Sequence, residues 1–149
     1  MIIVQEKDFN SHDLIKSLIK KNKNIGAICS FTGLVREKNN SKKLISMTLE
    51  HYPGMAEKML DKIEESAYKR WSLIDTLIIH RYGILKPGDQ IVLVATLSRH
   101  REESINSCHF LIDWLKTKGP FWKYEKTESG GNWVEAKESD DKASENWNK

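Results

Sequence analysis

The sequence is poor in the features that mark secreted and membrane-bound proteins. It holds only two cysteines in 149 residues, too few for a disulfide framework. No stretch approaches the roughly 18 consecutive apolar residues that a membrane-spanning helix needs. Met1 is not followed by the basic start and apolar run of a secretory signal. These absences predict a soluble cytoplasmic protein, and the length is typical of one domain.

The sequence also lacks a large excess of positive or negative charge. The 24 basic and 21 acidic residues leave a net charge of +3. This balance permits an anionic ligand but does not require nucleic acid.

Both cysteines, Cys29 and Cys108, lie among apolar residues in the sequence, which favours buried hydrophobic roles. Nothing in the sequence places them close together. A nucleophilic cysteine is the weaker alternative, because adjacent residues such as Cys108 and His109 point about 100° apart on a helix.

Several common catalytic motifs are missing. The five histidines show no i,i+4 pair and have no Cys-x-x-Cys partner, so the sequence predicts no metal site. There is no glycine motif of the Walker or dinucleotide type and no Gly-x-Ser-x-Gly elbow. These absences weigh against nucleotide-binding enzymes and the common serine hydrolases.

The pattern of apolar residues predicts an α+β domain with a mixed sheet over residues 1–138, followed by a polar tail at 139–149 anchored only by Trp147. Period-2 or continuous apolar runs predict strands at 2–5, 25–35, 44–52, 76–80, 90–97, 121–126 and 132–136. Helical spacing predicts helices at about 14–20, 55–71 and 101–118. The polar segment 36–43 is predicted to be a loop, and Lys86-Pro87-Gly88-Asp89 a type II turn.

Basic residues at the ends of these elements are the candidate ligand-binding groups. His100 and Arg101 stand at a predicted helix N-terminus, where free N–H groups attract anions; an ordinary solvated helix start is equally compatible. Lys116 lies at the rim of an apolar helix face, where a lysine more commonly extends to water than into a cleft. Arg36 follows a strand directly, a common place for a ligand-closing residue.

Lys123 is more informative. Alternation along its strand places Phe121, Lys123 and Glu125 on one face and Trp122, Tyr124 and Lys126 on the other. The Lys–Glu pair would position a charged ring and transfer protons, or form a cross-strand ion pair on a wet surface.

The combination of segments resembles one known family. The segments are Phe31-Thr32-Gly33-Leu34-Val35-Arg36, Leu49-Glu50-His51-Tyr52-Pro53-Gly54-Met55, His80-Arg81-Tyr82-Gly83, Pro87-Gly88-Asp89, Ser98 to Arg101, Leu115-Lys116-Thr117-Lys118, Pro120-Phe121-Trp122-Lys123-Tyr124-Glu125 and Trp133-Val134-Glu135-Ala136. In this order they resemble the large, catalytic subunit of molybdopterin synthase. The resemblance covers nearly the whole chain, and its second and seventh segments are the most specific.

The resemblance implies an α/β-hammerhead fold with an additional antiparallel β subdomain, and a homodimer in which each copy binds a small ubiquitin-like sulfur carrier. It implies that cyclic pyranopterin monophosphate receives two sulfurs from the carrier's Gly-Gly thiocarboxylate and becomes molybdopterin. It implies no metal or organic cofactor.

The family's site falls on nine positions of this chain, and all five basic ones are present. They are Leu34, Val35, Arg36, His100, Arg101, Lys116, Lys123, Tyr124 and Glu125. The expected catalytic residues are Lys116, near the carrier's reactive carbonyl, and Lys123, which would stabilise charge as the substrate ring opens. Leu34 and Ile112 depart modestly from the family pattern and would alter only the shape of the pocket.

Two other classes of function remain possible on the residues alone. Trp122-Lys123-Tyr124 has the aromatic and basic interleaving of RNA-binding modules, against which stand the low net charge and the lack of a long basic stripe. A partner-binding subunit without catalysis is the other, and it would not need two lysines facing one pocket.

Overall fold

Groups of one to three strands are separated by single helices in the computed structural model, which describes residues 1–39, 41–134 and 138–148. The strands are β1 (Ile2–Gln5), β2 (Ala27–Leu34), β3 (Lys38–Asn39), β4 (Lys42–His51), β5 (Leu73–Arg81), β6 (Gly83–Leu85), β7 (Gln90–Ser98), β8 (Phe121–Thr127) and β9 (Gly130–Val134). The helices are α1 (Ser11–Lys21), α2 (Met55–Arg70), α3 (Arg101–Lys118) and α4 (Glu138–Glu145).

The first sheet has the order β1-β5-β7-β2 and is covered by helices on both faces. β1 pairs with β5 in parallel, and the other pairs are antiparallel, so the sheet is mixed as predicted. Alternate residues of β5 point to opposite helices: Leu77 and Ile79 pack in one core with Leu18 of α1, and Ile78 packs in another with Leu60 of α2 and Leu111 of α3. Burial on both faces explains the nearly continuous apolar run of β7, which lies between β5 and β2 in the sheet.

The second sheet is antiparallel and is built around β4. Strands β3 and β6 pair with it on one side, and β8 followed by β9 on the other. The inner face of β4 contributes Leu44, Met47 and Leu49 to a third core, which includes Leu85 of β6 and Ile91 of β7. The two sheets together confirm the predicted α+β class with a mixed sheet and an antiparallel β subdomain.

Several local predictions are confirmed. Helix α3 begins at Arg101 and ends at Lys118, with Glu102 and Glu103 in its first turn, where carboxylates complement the helix dipole. At the predicted type II turn, Gly88 has φ +91° and the Asp89 amide donates to the Lys86 carbonyl at 2.9 Å.

Other segments differ from the sequence-based predictions. Within the polar segment 36–43, which was predicted to be a loop, Lys38 and Asn39 pair as a short strand with Lys43 and Lys42. Backbone pairing between polar residues leaves no apolar period to detect. The segment predicted as a polar tail contains helix α4, and Trp147 packs against Trp71 and Phe110. The domain boundary at residue 138 stays a prediction.

The two cysteines lie side by side in the core, a proximity that nothing in the sequence indicated. β2 pairs with β7, and α3 packs across both strands, which brings Cys108 of α3 onto Cys29 of β2. Burial, and then the neighbouring Cys29 thiol, raise the pKa of Cys108. A thiol held protonated is a poor nucleophile, so this arrangement supports a packing role. None of the described helices is long and apolar enough to span a membrane.

Candidate active site

A cavity of about 540 Å³ opens where the two sheets meet the C-terminal end of α3. Its floor comes from the first sheet, with Phe31 and Gly33 of β2 and Val92 of β7. One wall is the last part of α3, and the other is the inner face of the second sheet. The cavity therefore lies at the junction of three elements that are distant in the sequence.

Three of the five predicted basic residues line this cavity. Arg36 extends from the segment after β2, Lys116 from the last turn of α3, and Lys123 from β8. Lys116 is exposed at the cavity mouth, whereas Lys123 is half-buried. The cations reach the cavity from different walls, which makes it suited to an anionic ligand with several polar groups.

The cavity is lined by the face of β8 that the alternation of its residues predicted to carry Lys123 and Glu125. Phe121, Lys123 and Glu125 all line the cavity, and Glu125 is only 7% exposed. In the antiparallel register with β4, Lys123 stands opposite Leu49 and Glu125 opposite Met47. A charged pair surrounded by apolar neighbours experiences little solvent screening, so its electrostatic effect on a ligand is strong.

His80 is a cavity residue to which sequence reasoning assigned no role. It lies at the end of β5 and stacks on Phe121 with ring centroids 3.5 Å apart. Its Nδ1–H donates to the Arg81 carbonyl at 2.8 Å, which leaves Nε2 as the acceptor in the neutral ring. Burial above all, together with the charges of Lys123 and His51, lowers the pKa of His80 to about 3, although the hydrogen bond to Arg81 opposes this shift. His80 therefore stays neutral beside the cationic groups of the cavity.

His100 and Arg101 do not line this cavity. His100 is the N-cap residue of α3 and Arg101 is its first residue, whereas Lys116 is in the last turn. The intervening helix separates Arg101 from Lys116 by roughly 22 Å along the axis, at 1.5 Å per residue. One copy of the chain thus brings together three of its five candidate cations.

The remaining predicted residues divide between the cavity and its surroundings. Leu34 lines the cavity. Val35 is buried in the third core, and its backbone accepts from the Gly88 amide and donates to the Asp89 carbonyl. Tyr124 points to the opposite face of β8, where its ring meets the edge of Trp133 at 5.2 Å.

Apart from Leu34 and Ile112, the apolar cavity residues were given no place in the site by the sequence. Ile112 and Leu115 of α3 line the cavity together with Phe31 and Leu44. Helical and strand periodicity identifies buried faces but does not separate a packed core from a cavity wall. The only sequence signal for His80 was its position in His80-Arg81-Tyr82-Gly83, one of the segments that carry the family resemblance.

Comparison with known proteins agrees with this geometry. The family model described as MoaE protein matches residues 4–118. The chain is 49% identical over 146 residues to the molybdopterin synthase catalytic subunit of Ralstonia nicotianae, covering 98% of this chain and 83% of that protein. It is 48% identical over 122 residues to the subunit of the same name in Escherichia coli K12, covering 82% of this chain and 81% of that one.

The solved structures give the same result. The molybdopterin biosynthesis MoaE protein of Burkholderia ambifaria superposes with a TM-score of 0.86 at 45% identity, covering 100% of this chain and 98% of that one. The match extends over both sheets and hence over every wall of the cavity. The chain therefore belongs to the MoaE family of molybdopterin synthase catalytic subunits.

Proposed function

We propose that this chain is a sulfurtransferase that moves two sulfurs to cyclic pyranopterin monophosphate, one from each of two thiocarboxylated carrier subunits, and so forms the dithiolene of molybdopterin. The observation that supports it best is the convergence of Arg36, Lys116 and Lys123 on one cavity. At about 540 Å³, this cavity is within the range of small-molecule sites. It therefore has room for a pterin beside a narrow Gly-Gly tail.

The arrangement of charges suits both reactants. The phosphate of the substrate and the thiocarboxylate of the carrier are anions, and the cavity offers cations from separate walls. Lys116, exposed at the mouth, would polarise the carrier's reactive carbonyl as the tail enters. Lys123, deeper on β8 and next to the neutral His80, would stabilise the charge that develops when the substrate ring opens.

The homodimer implied by the resemblance offers a source for the two missing cations. Strand β2 is an edge strand of the first sheet, so its outer N–H and C=O groups are open to a second copy. Antiparallel pairing of two β2 strands would set the start of one strand beside the end of the other. His100 and Arg101 lie near the start, because Gly26 bonds to Ser98, and the cavity lies at the end. The partner's copies of these cations would then approach the cavity.

Reconstitution tests the proposed function directly. Purified chain, thiocarboxylated carrier and cyclic pyranopterin monophosphate should yield a product with two sulfurs by mass spectrometry. Carrier ending in an ordinary carboxylate is the matched control and should give none. Failure to form any dithiolene with a carrier that binds would contradict the proposal.

Mixed dimers test the shared site. Lys116→Ala and Arg101→Ala each remove one side of it, so either variant alone should be inactive. In re-equilibrated mixtures of the two, half of the dimers are mixed and carry one intact site, which restores about a quarter of wild-type activity. No recovery in dimers shown to be mixed would place both residues in the same copy's site.

A further inference from the structure

The proposed sulfur transfer gives His80 no contact with the substrate, although this residue is a polar part of the cavity wall. His80 lies near the C-terminal end of β5, its side chain is only 6% exposed, and it lines the cavity. Burying an imidazole costs free energy unless its polar atoms are hydrogen-bonded. A histidine buried this deeply is therefore expected to have a partner at each ring nitrogen.

Only one of the two ring nitrogens has a partner in the part of the chain that the structure describes. Nδ1–H donates to the Arg81 carbonyl at 2.8 Å, which fixes the neutral tautomer with its lone pair on Nε2. Nε2 bonds to none of the described residues. Nor is it sealed inside the protein, because Glu103 Oε2 is the only described side-chain nitrogen or oxygen that is enclosed without a partner. Nε2 is thus an acceptor left open to the cavity.

Two contacts hold the imidazole in one orientation. The bond to the Arg81 carbonyl fixes one edge, and Phe121 of β8 covers one face, with centroids 3.5 Å apart and ring planes only 6° from parallel. Phe121 is itself held by His51, its register partner on β4, at a centroid distance of 5.9 Å. Nε2 therefore keeps its direction before any ligand binds. A preorganised acceptor binds a donor without the entropic cost of ordering the side chain.

The cations of the cavity have the opposite hydrogen-bonding character. Arg36, Lys116 and Lys123 only donate, so they can bind phosphate or carbonyl oxygens but cannot bind an N–H group. A heterocyclic ligand with N–H groups needs acceptors on the wall as well. Among the buried lining side chains, Glu125 offers a charged acceptor and His80 an uncharged one. The lowered pKa of His80 keeps Nε2 unprotonated at neutral pH, so it does not become a donor.

We propose that Nε2 of His80 accepts a hydrogen bond from an N–H group of the substrate's pterin ring and thereby selects ligands that carry such a donor. This inference rests on the proposed function, which supplies the class of ligand. The cations then bind the phosphate and the developing charge, whereas His80 recognises the ring. A ring without the donor would leave a buried acceptor unpaired, which is why such a contact is selective.

Three variants separate the acceptor from the ring stack. His80→Phe keeps a ring on Phe121 and loses both nitrogens. His80→Gln places an amide near the position of Nε2, and His80→Asn places one near that of Nδ1. Titration calorimetry with cyclic pyranopterin monophosphate, without carrier, should show binding weakened at least about tenfold in the Phe and Asn variants. The Gln variant should bind within about threefold of wild type, because it keeps an acceptor at the Nε2 position.

Inorganic phosphate is the control ligand, since it has no ring. It should bind wild type and His80→Phe alike, because the cations that hold it are unchanged in the variant.

A measurement on the wild type does not depend on how the variants fold. In nitrogen NMR of labelled histidine side chains, Nδ1 of His80 should carry the proton and Nε2 should resonate as an unprotonated nitrogen. Adding cyclic pyranopterin monophosphate should shift the Nε2 resonance towards that of a hydrogen-bonded acceptor. Inorganic phosphate alone should leave it in place.

Two results would overturn this inference without touching the proposed function. The first is wild-type affinity for the pterin substrate in a His80→Phe protein whose circular dichroism is native. The second is an Nε2 resonance that does not respond when the wild type is saturated with the substrate. Failure of the wild type to form dithiolene, with His80-dependent substrate binding intact, would instead contradict the proposed function alone.

Discussion

Strands β7 and β8 are similar in length but serve opposite purposes. β7 is covered on both faces by helices, and Leu93, Val94 and Ala95 are completely buried. β8 turns Lys123 and Glu125 into a cavity and leaves Trp122 exposed on its other face. Apolar burial stabilises the first sheet, whereas the second sheet keeps charged and aromatic groups in positions that cost stability. The buried core around β7 therefore serves mainly stability and the charged face of β8 mainly chemistry, and substitutions should separate the two.

The largest effect is expected at the mouth of the cavity. Lys116→Ala should reduce dithiolene formation by about 10²- to 10⁴-fold, because it removes a positioned cation from the reacting groups. Its melting temperature should stay close to wild type, since the side chain is exposed. The measurement is single-turnover product formation at saturating carrier.

Lys118→Ala is the matched control for that prediction. Lys118 lies in the same last turn of α3 but is not among the cavity-lining residues. It should retain activity within about twofold. Equal losses in the two variants would indicate a general electrostatic effect and remove the specific role of Lys116.

A substitution in β7 is expected to have the opposite effect, a loss of stability without a loss of activity. Leu93 is fully buried in the core beneath α1, so Leu93→Ala should lower the free energy of unfolding by about 2–5 kcal/mol. Urea denaturation measures this, with the exposed Ile19→Ala as a control expected to change it by less than about 0.5 kcal/mol. Activity per folded molecule should remain near wild type. A large loss of activity in folded Leu93→Ala would show that the two sheets are coupled.

Much of this division could be predicted from the sequence. Helical spacing of apolar residues defined α3, and an apolar run identified the strand β7. Alternation alone placed Lys123 and Glu125 on one face of β8, where the structure has them. These predictions succeeded because each depends on local periodicity, which neighbouring elements reinforce.

What sequence reasoning missed depends on contacts between distant segments. Hairpin β3–β4 and the short strand β6 are held by backbone pairing that leaves no apolar pattern. The adjacency of Cys29 and Cys108 follows from packing α3 across β2. His100 and Arg101 were grouped with Lys116 by resemblance, and helix geometry places them at opposite ends of α3. The periodicity of apolar residues identifies helices and strands but does not indicate which ends of these elements lie close together in the fold.

The boundary between the sheets contains a pH-sensitive group. Because the pKa of His80 is lowered to about 3, the folded state does not take up this proton between pH 6.5 and 3, whereas the unfolded state does. This histidine therefore costs no stability above pH 6.5, and its penalty grows as the pH falls towards 3. At pH 5 the linkage amounts to about 2 kcal/mol.

His80→Phe isolates that contribution, since phenylalanine keeps a ring stacked on Phe121 but does not titrate. The difference in unfolding free energy between wild type and variant should change by about 2 kcal/mol in favour of the variant from pH 7.5 to pH 5. Urea denaturation at several pH values measures it. Parallel pH profiles for the two proteins would mean that His80 is protonated in the folded state.

The smallest effect is expected where the C-terminal segment meets α3. The Trp147 indole Nε1–H donates to the Asp113 carboxylate at 2.7 Å, and its ring packs on Trp71 and Phe110. Trp147→Phe keeps an apolar ring and loses the hydrogen bond, so the free energy of unfolding should fall by about 1 kcal/mol. In an Asp113→Ala background, Trp147→Phe should lower the free energy of unfolding by less, because the hydrogen-bond acceptor is already absent.

Asp113 lies on α3 only three positions before Lys116, yet it points to the C-terminal segment rather than to the cavity. Activity should therefore be unchanged within about twofold, and a loss of activity without a loss of stability would make this segment part of the site.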